Sequence, residues 1–190
     1  MVDQLLELDK DLFLYLNNLG SKPWDGLWLV ITNKLTFIPL YAALLFLIYK
    51  KIGLKPLLLM VFVIAAMITF TDQITNAFKH GFERFRPCHE PSVKHIMRIV
   101  REGCGGRFGF FSGHASNSMA AAVFGGFVLR PYFKTLLFLL ILWSFIVAYS
   151  RVYVGVHYPL DIICGMLFGA VSGFGFYKLS TYLIKRFISN

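Results

Sequence analysis

Five apolar stretches, each near the length that crosses a bilayer, dominate this chain and leave few folds open to it. They run from Leu27 to Tyr49, Pro56 to Phe78, Gly113 to Leu129, Thr135 to Ser150 and Pro159 to Ile184. A membrane span needs about 20 predominantly apolar residues. Asn33 and Lys34 interrupt the first stretch, and Asp72 and Asn76 fall near the end of the second. The third and fourth are short, and are expected to extend into their flanks or to lie where the bilayer is thin. Almost no polar stripe is left to face water, which argues against a soluble bundle of buried helices. Charged residues make up 15% of the chain, against roughly 25% in a soluble domain. The expected fold is all-α: an integral membrane bundle of about five spans.

The net charge of +9 raises the question of nucleic acid, but its distribution follows the membrane instead. Lys50, Lys51 and Lys55 sit in one connector, Arg130 and Lys134 in another, and Lys178, Lys185 and Arg186 at the C-terminal end. With five spans these segments share a side, and loops rich in Lys and Arg are cytoplasmic. The N-terminus is then expected outside, where Asp3, Glu7, Asp9, Asp11 and Asp25 outnumber Lys10 and Lys22. The first segment lacks the basic start and apolar core of a signal peptide. Leu5, Leu8, Leu12, Tyr15, Leu16 and Leu19 share one helical face with Asp and Lys opposite, so residues 1–22 read as an interfacial helix. Residues 23–190 then form the membrane-embedded domain, with Trp24 and Trp28 in the aromatic belt. Gly165, Gly169 and Gly173, four apart in the last span, read as a helix-packing stripe.

Ionisable residues near a membrane are functional candidates. Here they form three clusters at the outer ends of spans. The first runs from Lys79 to Arg86-Pro87; the second is Phe111-Ser112-Gly113-His114; the third runs from Ser150-Arg151 through His157 to Asp161. Lys79, Arg86 and Arg151 offer fixed positive charge suited to phosphate oxygens. Ser112 and Gly113 open a span, and N–H groups at a helix N-terminus favour an anion. Each cation taken alone reads equally as a snorkelling or headgroup-binding charge. His157 and Asp161 lie four apart on one face, so the carboxylate can hold one ring nitrogen and leave the other free as a nucleophile. His114 is a second imidazole, able to protonate a leaving oxygen.

The three clusters together resemble the type-2 phosphatidic acid phosphatase superfamily. Its pattern is Lys, six residues, Arg-Pro; then Pro-Ser-Gly-His; then Ser-Arg, five residues, His, three residues, Asp. Lys79, Arg86-Pro87, Ser112-Gly113-His114, Ser150-Arg151, His157 and Asp161 match it, and Phe111 stands in place of the Pro. The resemblance spans roughly residues 60 to 175. It implies that His157 is the nucleophile forming a phosphohistidine, Asp161 its orienting carboxylate, and His114 the acid for the leaving group. Lys79, Arg86, Ser112, Gly113 and Arg151 would bind phosphate, with no metal or other cofactor. Membrane members mostly act on phosphatidic acid, phosphatidylglycerophosphate, isoprenyl phosphates and diphosphates, or lipid A. The expected partners are thus a phosphorylated lipid and the bilayer, with no nucleic acid. The expected place is a bacterial inner membrane, with the site facing the exterior. A phosphotransferase using the same histidine, and a non-catalytic lipid-phosphate carrier, are the rival readings.

Residues at about 88–110 would cap the site. Lys94, Arg98, Arg101 and Arg107 against Glu90 and Glu102 keep this segment basic, which suits an anionic headgroup or a solvated loop. Cys88 and Cys104 flank it and read as a disulfide, or with His89 and His95 as a zinc site. Cys164 reads as a free packing residue. Asp72 shares a face with Lys79, and reads as a partner for a cation below the pocket or as a helix-packing group.

Overall fold

The computed structural model describes residues 2–100 and 103–188, which leaves Arg101 and Glu102 of the basic segment outside the described residues. Seven α-helices follow in order: α1 Val2–Asn18, α2 Lys22–Thr32, α3 Ile38–Ile52, α4 Leu54–Phe82, α5 Gly113–Leu129, α6 Leu136–Tyr153 and α7 Pro159–Phe187. Short 3-10 turns at Lys34–Phe37 and Pro87–His89 complete the list. Among the described residues there is no β-strand, and Phe85 and Phe108 form a single antiparallel bridge. The molecule is an all-helical integral membrane bundle. Among the described residues, four segments are long and apolar enough to cross a membrane: Lys34–Ile52, Leu54–Phe82, Leu136–Tyr153 and Pro159–Phe187.

The first apolar stretch is not one helix. α2 ends at Thr32, and Asn33 takes an extended conformation while its side chain accepts the Leu35 N–H at 3.0 Å. The crossing segment therefore starts at Lys34 rather than Leu27. An Asn side chain that satisfies the next turn's N–H is competing with the helix for it, and here the side chain wins.

The helix Gly113–Leu129 does not extend into its flanks. At 17 residues it is about 25 Å long. It is the most enclosed helix: Ala115, Ser116, Met119, Ala120, Ala122, Val123, Phe124 and Leu129 are all buried. Ala, Gly and Ser at many of its positions let neighbours approach closely. The stripe predicted from sequence lies in this contact. A Cβ at Gly165, Gly169 or Gly173 would run into the backbone carbonyls of Ser112, Ser116 and Ala120 on α5. The Ser118 and Ser144 hydroxyls close a further polar contact between α5 and α6 at 2.9 Å.

The basic connectors gather at one end. Tyr132 donates to the Lys51 carbonyl, Lys51 lies over Phe133, and Phe133, Leu57 and Ile184 share one apolar cluster. The three polar clusters lie at the other end. There α1 forms as expected but faces the protein with its less apolar side. Leu5, Leu8, Leu12, Tyr15 and Leu19 are exposed, whereas Asp9, Phe13 and Asn17, four residues apart, are buried. Asn17 donates to the carbonyls of Val152 and Tyr153 and accepts the Arg98 N–H at 2.7 Å. The expected solvated polar face of this helix is thus partly its docking face.

The seam between α5 and α7 can be tested with a matched pair. Gly169→Ala places a methyl against the Ser116 carbonyl and should lower the thermal midpoint in detergent, on the scale of about 1–3 kcal/mol for overpacking. Gly175→Ala, with nothing within 4 Å, should leave the midpoint unchanged or raise it.

Candidate active site

Each polar cluster is held where a helix starts or stops. Lys79 lies in the last turns of α4, whose C-cap Glu83 adopts a left-handed conformation at φ 48° and donates its N–H to the Lys79 carbonyl. The chain then extends and pairs with residues 107–109. Arg86 N–H donates to the Arg107 carbonyl at 3.1 Å, and Gly109 N–H to the Arg84 carbonyl at 2.8 Å. Arg86 also points its guanidinium back at this segment, donating to the carbonyls of Phe108 at 3.1 Å and Cys104 at 3.3 Å. A side chain at Gly109 would meet Arg86, Asp161 and His157 together, so this glycine marks where the first and third clusters touch.

Ser112 caps α5, its hydroxyl accepting the Ala115 N–H. Its own N–H donates to the Asp161 carbonyl at 3.0 Å, joining the start of α5 to the start of α7. That N–H is therefore engaged within the protein. Gly113 is the close-approach position. A Cβ there would lie 3.5 Å from Thr75, 3.9 Å from the Asp72 carboxylate and 4.0 Å from Lys79 Nζ. His114, half-buried, follows in the first turn of α5. Asp72 accepts the Asn117 amide at 2.8 Å, and Asn117 accepts the Thr71 hydroxyl, so Asp72 serves helix packing beside the lysine.

Arg151 ends α6, buried, and donates to the Thr32 hydroxyl at the end of α2. The chain reverses through Gly155, whose φ of +85° only glycine adopts freely. The Arg151 carbonyl accepts the N–H groups of Val156 at 3.0 Å and His157 at 3.3 Å, which fixes the nucleophile candidate over the arginine.

His157 is 2% exposed and Asp161 0%. His157 Nδ1 lies 3.2 Å from Asp161 Oδ2, which also accepts the Tyr158 N–H at 3.0 Å. An ionised carboxylate only accepts, so Nδ1 carries the proton and Nε2 keeps its lone pair. Burial first, and then the charges of Arg86, Arg151 and Lys79, hold the His157 ring well below the ordinary value of 6.5. The imidazole is neutral near pH 7, as a nucleophile requires. Lys79 and Arg86 of the first cluster and Arg151 of the third thus act on one ring.

Two residues that sequence reasoning left aside complete the site. Arg84, inside the spacer between Lys79 and Arg86, donates from Nη1 to Asp161 Oδ1 at 2.9 Å. From Nη2 it donates to Asp9 Oδ2 at 2.6 Å, and Asp9 Oδ1 accepts the Leu160 N–H at 2.9 Å. Burial pushes the Asp9 carboxyl up, and the hydrogen bonds from Arg84 and Leu160 oppose that shift. Asp9, Phe13 and Asn17 share one face of α1, and it is their burial in the structure that marks an inward polar edge.

Cys88 and Cys104 are paired as a disulfide, with Cα atoms 6.2 Å apart. His89 lies within 4.8 Å of both sulfurs, but His95 is outside that group, so the four-ligand zinc set is not assembled among the described residues. The segment's basicity is also less available than expected. Arg98 pairs with Asp25 at 2.9 Å, and Arg107 stacks over the Phe85 ring.

With this geometry in view, the comparisons with known proteins are specific. A family model described as the PAP2 superfamily matches residues 56–185. The chain belongs to the PAP2 superfamily. It is a phosphatase of that superfamily by its family and relatives. It is 35% identical to a lipid A 4'-phosphatase of Bacteroides thetaiotaomicron over 100% of this chain and 84% of that protein. It is 34% identical to a lipid A 4'-phosphatase of Porphyromonas gingivalis over 98% of this chain and 79% of that protein. A solved PAP2-type phosphatidylglycerolphosphate phosphatase from Bacillus subtilis superposes with a TM-score of 0.73 at 22% identity, covering 97% of this chain and 89% of that one. At that identity the likeness is one of fold.

Two outcomes follow from the site. Because the His157 ring is depressed, the acid limb of kcat/KM should lie below pH 6.5 once the substrate's own titration is subtracted; a limb at or above that value would contradict a buried neutral ring. Reduction of the disulfide, or Cys104→Ser, should raise KM several-fold with a smaller change in kcat. The Cys104 carbonyl holds Arg86, so loosening that loop loosens the guanidinium. Steady-state kinetics with and without reductant check this.

Proposed function

We propose that this PAP2 phosphatase is a lipid phosphatase that works through a phosphohistidine at His157, at the outer face of the membrane, and that its substrate is the 4'-phosphate of lipid A. The observation that carries the mechanism is the convergence of Lys79, Arg86 and Arg151 on a neutral imidazole whose far nitrogen is tied to Asp161. The lipid A reading is supported by two relatives of that name that align with nearly the whole chain.

In the first step the His157 Nε2 lone pair forms a bond to phosphorus, while the bond from phosphorus to the sugar oxygen breaks. His114 passes its proton to that leaving oxygen. In the second step water attacks phosphorus, the N–P bond breaks and its electron pair returns to Nε2, and His114 takes the proton from water. The sum is hydrolysis, with both histidines restored. As the ring gains positive charge, the Asp161 carboxylate stabilises it. Lys79, Arg86 and Arg151, with the N-terminal turn of α5 at Gly113, hold the transferring phosphoryl oxygens and need no metal to do so.

The membrane placement follows the same logic. Residues 1–22 lie at the interface with their leucines toward lipid, and 23–190 are embedded. Residues 88–110 cap the pocket. The lysine-rich end is cytoplasmic, which sets the pocket at the outer face of a bacterial inner membrane. There the acyl chains can stay in the bilayer while the headgroup reaches the cations.

Phosphate release from lipid A by the purified protein in detergent should fall about a thousandfold or more in His157→Ala, with lipid binding kept. Rapid quench with ³²P-labelled lipid should trap an acid-labile, alkali-stable label on the wild type and none on the variant. Full activity after chelation is expected. A label absent from the wild type, or phosphate appearing on an added acceptor lipid rather than free in solution, would overturn the hydrolytic reading.

A further inference from the structure

The reaction proposed above uses one oxygen of Asp161. The other oxygen, and everything behind it, is unaccounted for by the three sequence clusters. Asp161 Oδ2 is filled by His157 and the Tyr158 N–H, and Oδ1 is filled by Arg84. Both Asp9 oxygens are filled as well, one by Arg84 and one by the N–H of Leu160, the residue preceding Asp161. The four carboxylate oxygens and the guanidinium fork thus close a loop that grips the first turn of α7 from outside. The Asp9 and Asp161 side chains are 2% and 0% exposed, and Arg84 is 16% exposed. Its guanidinium also lies over the Tyr158 ring, 4.3 Å from the centroid.

We propose that Arg84 and Asp9 are positioning residues for phosphoryl transfer. Arg84 fixes the carboxylate that orients His157, and Asp9, carried by the N-terminal helix, supplies the counter-charge that keeps Asp161 an effective anion. The inference rests on the phosphohistidine reading and adds to it two residues that lie outside its motif.

The charge argument is direct. The groups acting on the His157 ring are Lys79 from α4, Arg86 from the connector after it, Arg151 from α6 and Asp161 from α7, with Arg84 and Asp9 behind Asp161. Alone, Arg84 would cancel the charge of Asp161. With Asp9 present, the group of three carries one net negative charge, and this faces the ring as it becomes cationic in the transition state. The orientation argument is separate. A carboxylate held through one oxygen can rotate, whereas one held through both presents Oδ2 to Nδ1 in one direction. Asp9 lies 75 residues before Arg84 and 151 before Leu160, so α1 is part of the catalytic machinery, not a tether alone.

The two arguments make opposite substitutions shift the pH profile in opposite directions, which a purely structural role would not do. The full chain is assayed in detergent on lipid A and, in parallel, on p-nitrophenyl phosphate as a soluble monoester, so that the test is independent of the lipid assigned. Asp9→Asn should lower kcat about tenfold to a hundredfold at little-changed KM, the scale that outer partners of a histidine–carboxylate unit carry. It leaves the ring in a more positive field, so its acid limb should move to lower pH. Arg84→Gln should also lower kcat but move the acid limb to higher pH. Arg84→Lys and Asp9→Glu keep the charges, so both should keep the wild-type limb and recover part of the turnover. They also serve if the first pair fails to fold, which size-exclusion profiles will show. Wild-type kcat within twofold in both uncharged variants, or limbs moving the same way, would overturn the inference; with the conservative pair alone, a displaced limb would do so. A wild type that carries no phosphohistidine label fails the parent reading instead, and the two failures are told apart by that label.

Discussion

The structure depends on how closely α7 can approach α5. In lipid, apolar side chains gain little by meeting one another, so association rests on packing and on satisfied polar groups. Gly165, Gly169 and Gly173 remove the side chains that would keep the backbones apart, and α5 answers with Ser112, Ser116 and Ala120. At the top of this seam the Ser112 N–H reaches the Asp161 carbonyl. The turn carrying His114 and the turn carrying Asp161 are thereby set side by side. A seam one methyl wider would part the two turns whatever their side chains were.

Around that seam, much of the site is carried by helix ends, with His157 and Arg86 on the connectors between them. Lys79 closes α4, Arg151 closes α6, His114 opens α5 and Asp161 opens α7. Three of the four are tied through their own carbonyls, Lys79 to the Glu83 N–H, Arg151 to the His157 N–H and Asp161 to the Ser112 N–H, while the Ser112 hydroxyl caps the helix that His114 opens. Helix ends are suited to this work because they present unpaired N–H and carbonyl groups along with their dipoles. Arg86 is added from the connector after α4, steered by the Cys104 and Phe108 carbonyls.

The spans, the three clusters and the cysteine pair were readable in the sequence because each leaves a local mark: hydropathy, fixed spacing, or a residue type with narrow uses. The helix boundaries at Gly113, Leu136 and Pro159 fell close to the apolar limits for the same reason. The break at Asn33 was visible only as a polar interruption, since hydropathy does not tell a tolerated asparagine from one that caps a new turn. The inward turn of Asp9 was hidden because an acid on an amphipathic helix ordinarily faces water. Its partner lies 75 residues away, and no periodicity relates the two. Arg84 was masked by standing between two cations of the motif, where it reads as spacer. The bond from the Ser112 N–H to the Asp161 carbonyl was not readable either, because a helix N-terminus shows its partner only when the neighbouring helix is placed against it.

The inward edge of the first helix bears on how such proteins are handled. An amphipathic N-terminal helix invites trimming, because its apolar face reads as resting on the lipid. Here the leader's leucines do face outward, yet its ninth residue is wired to the buried carboxylate beneath the imidazole. A shortened protein would keep every residue of the recognised motif and still lose part of the circuit that makes the motif work.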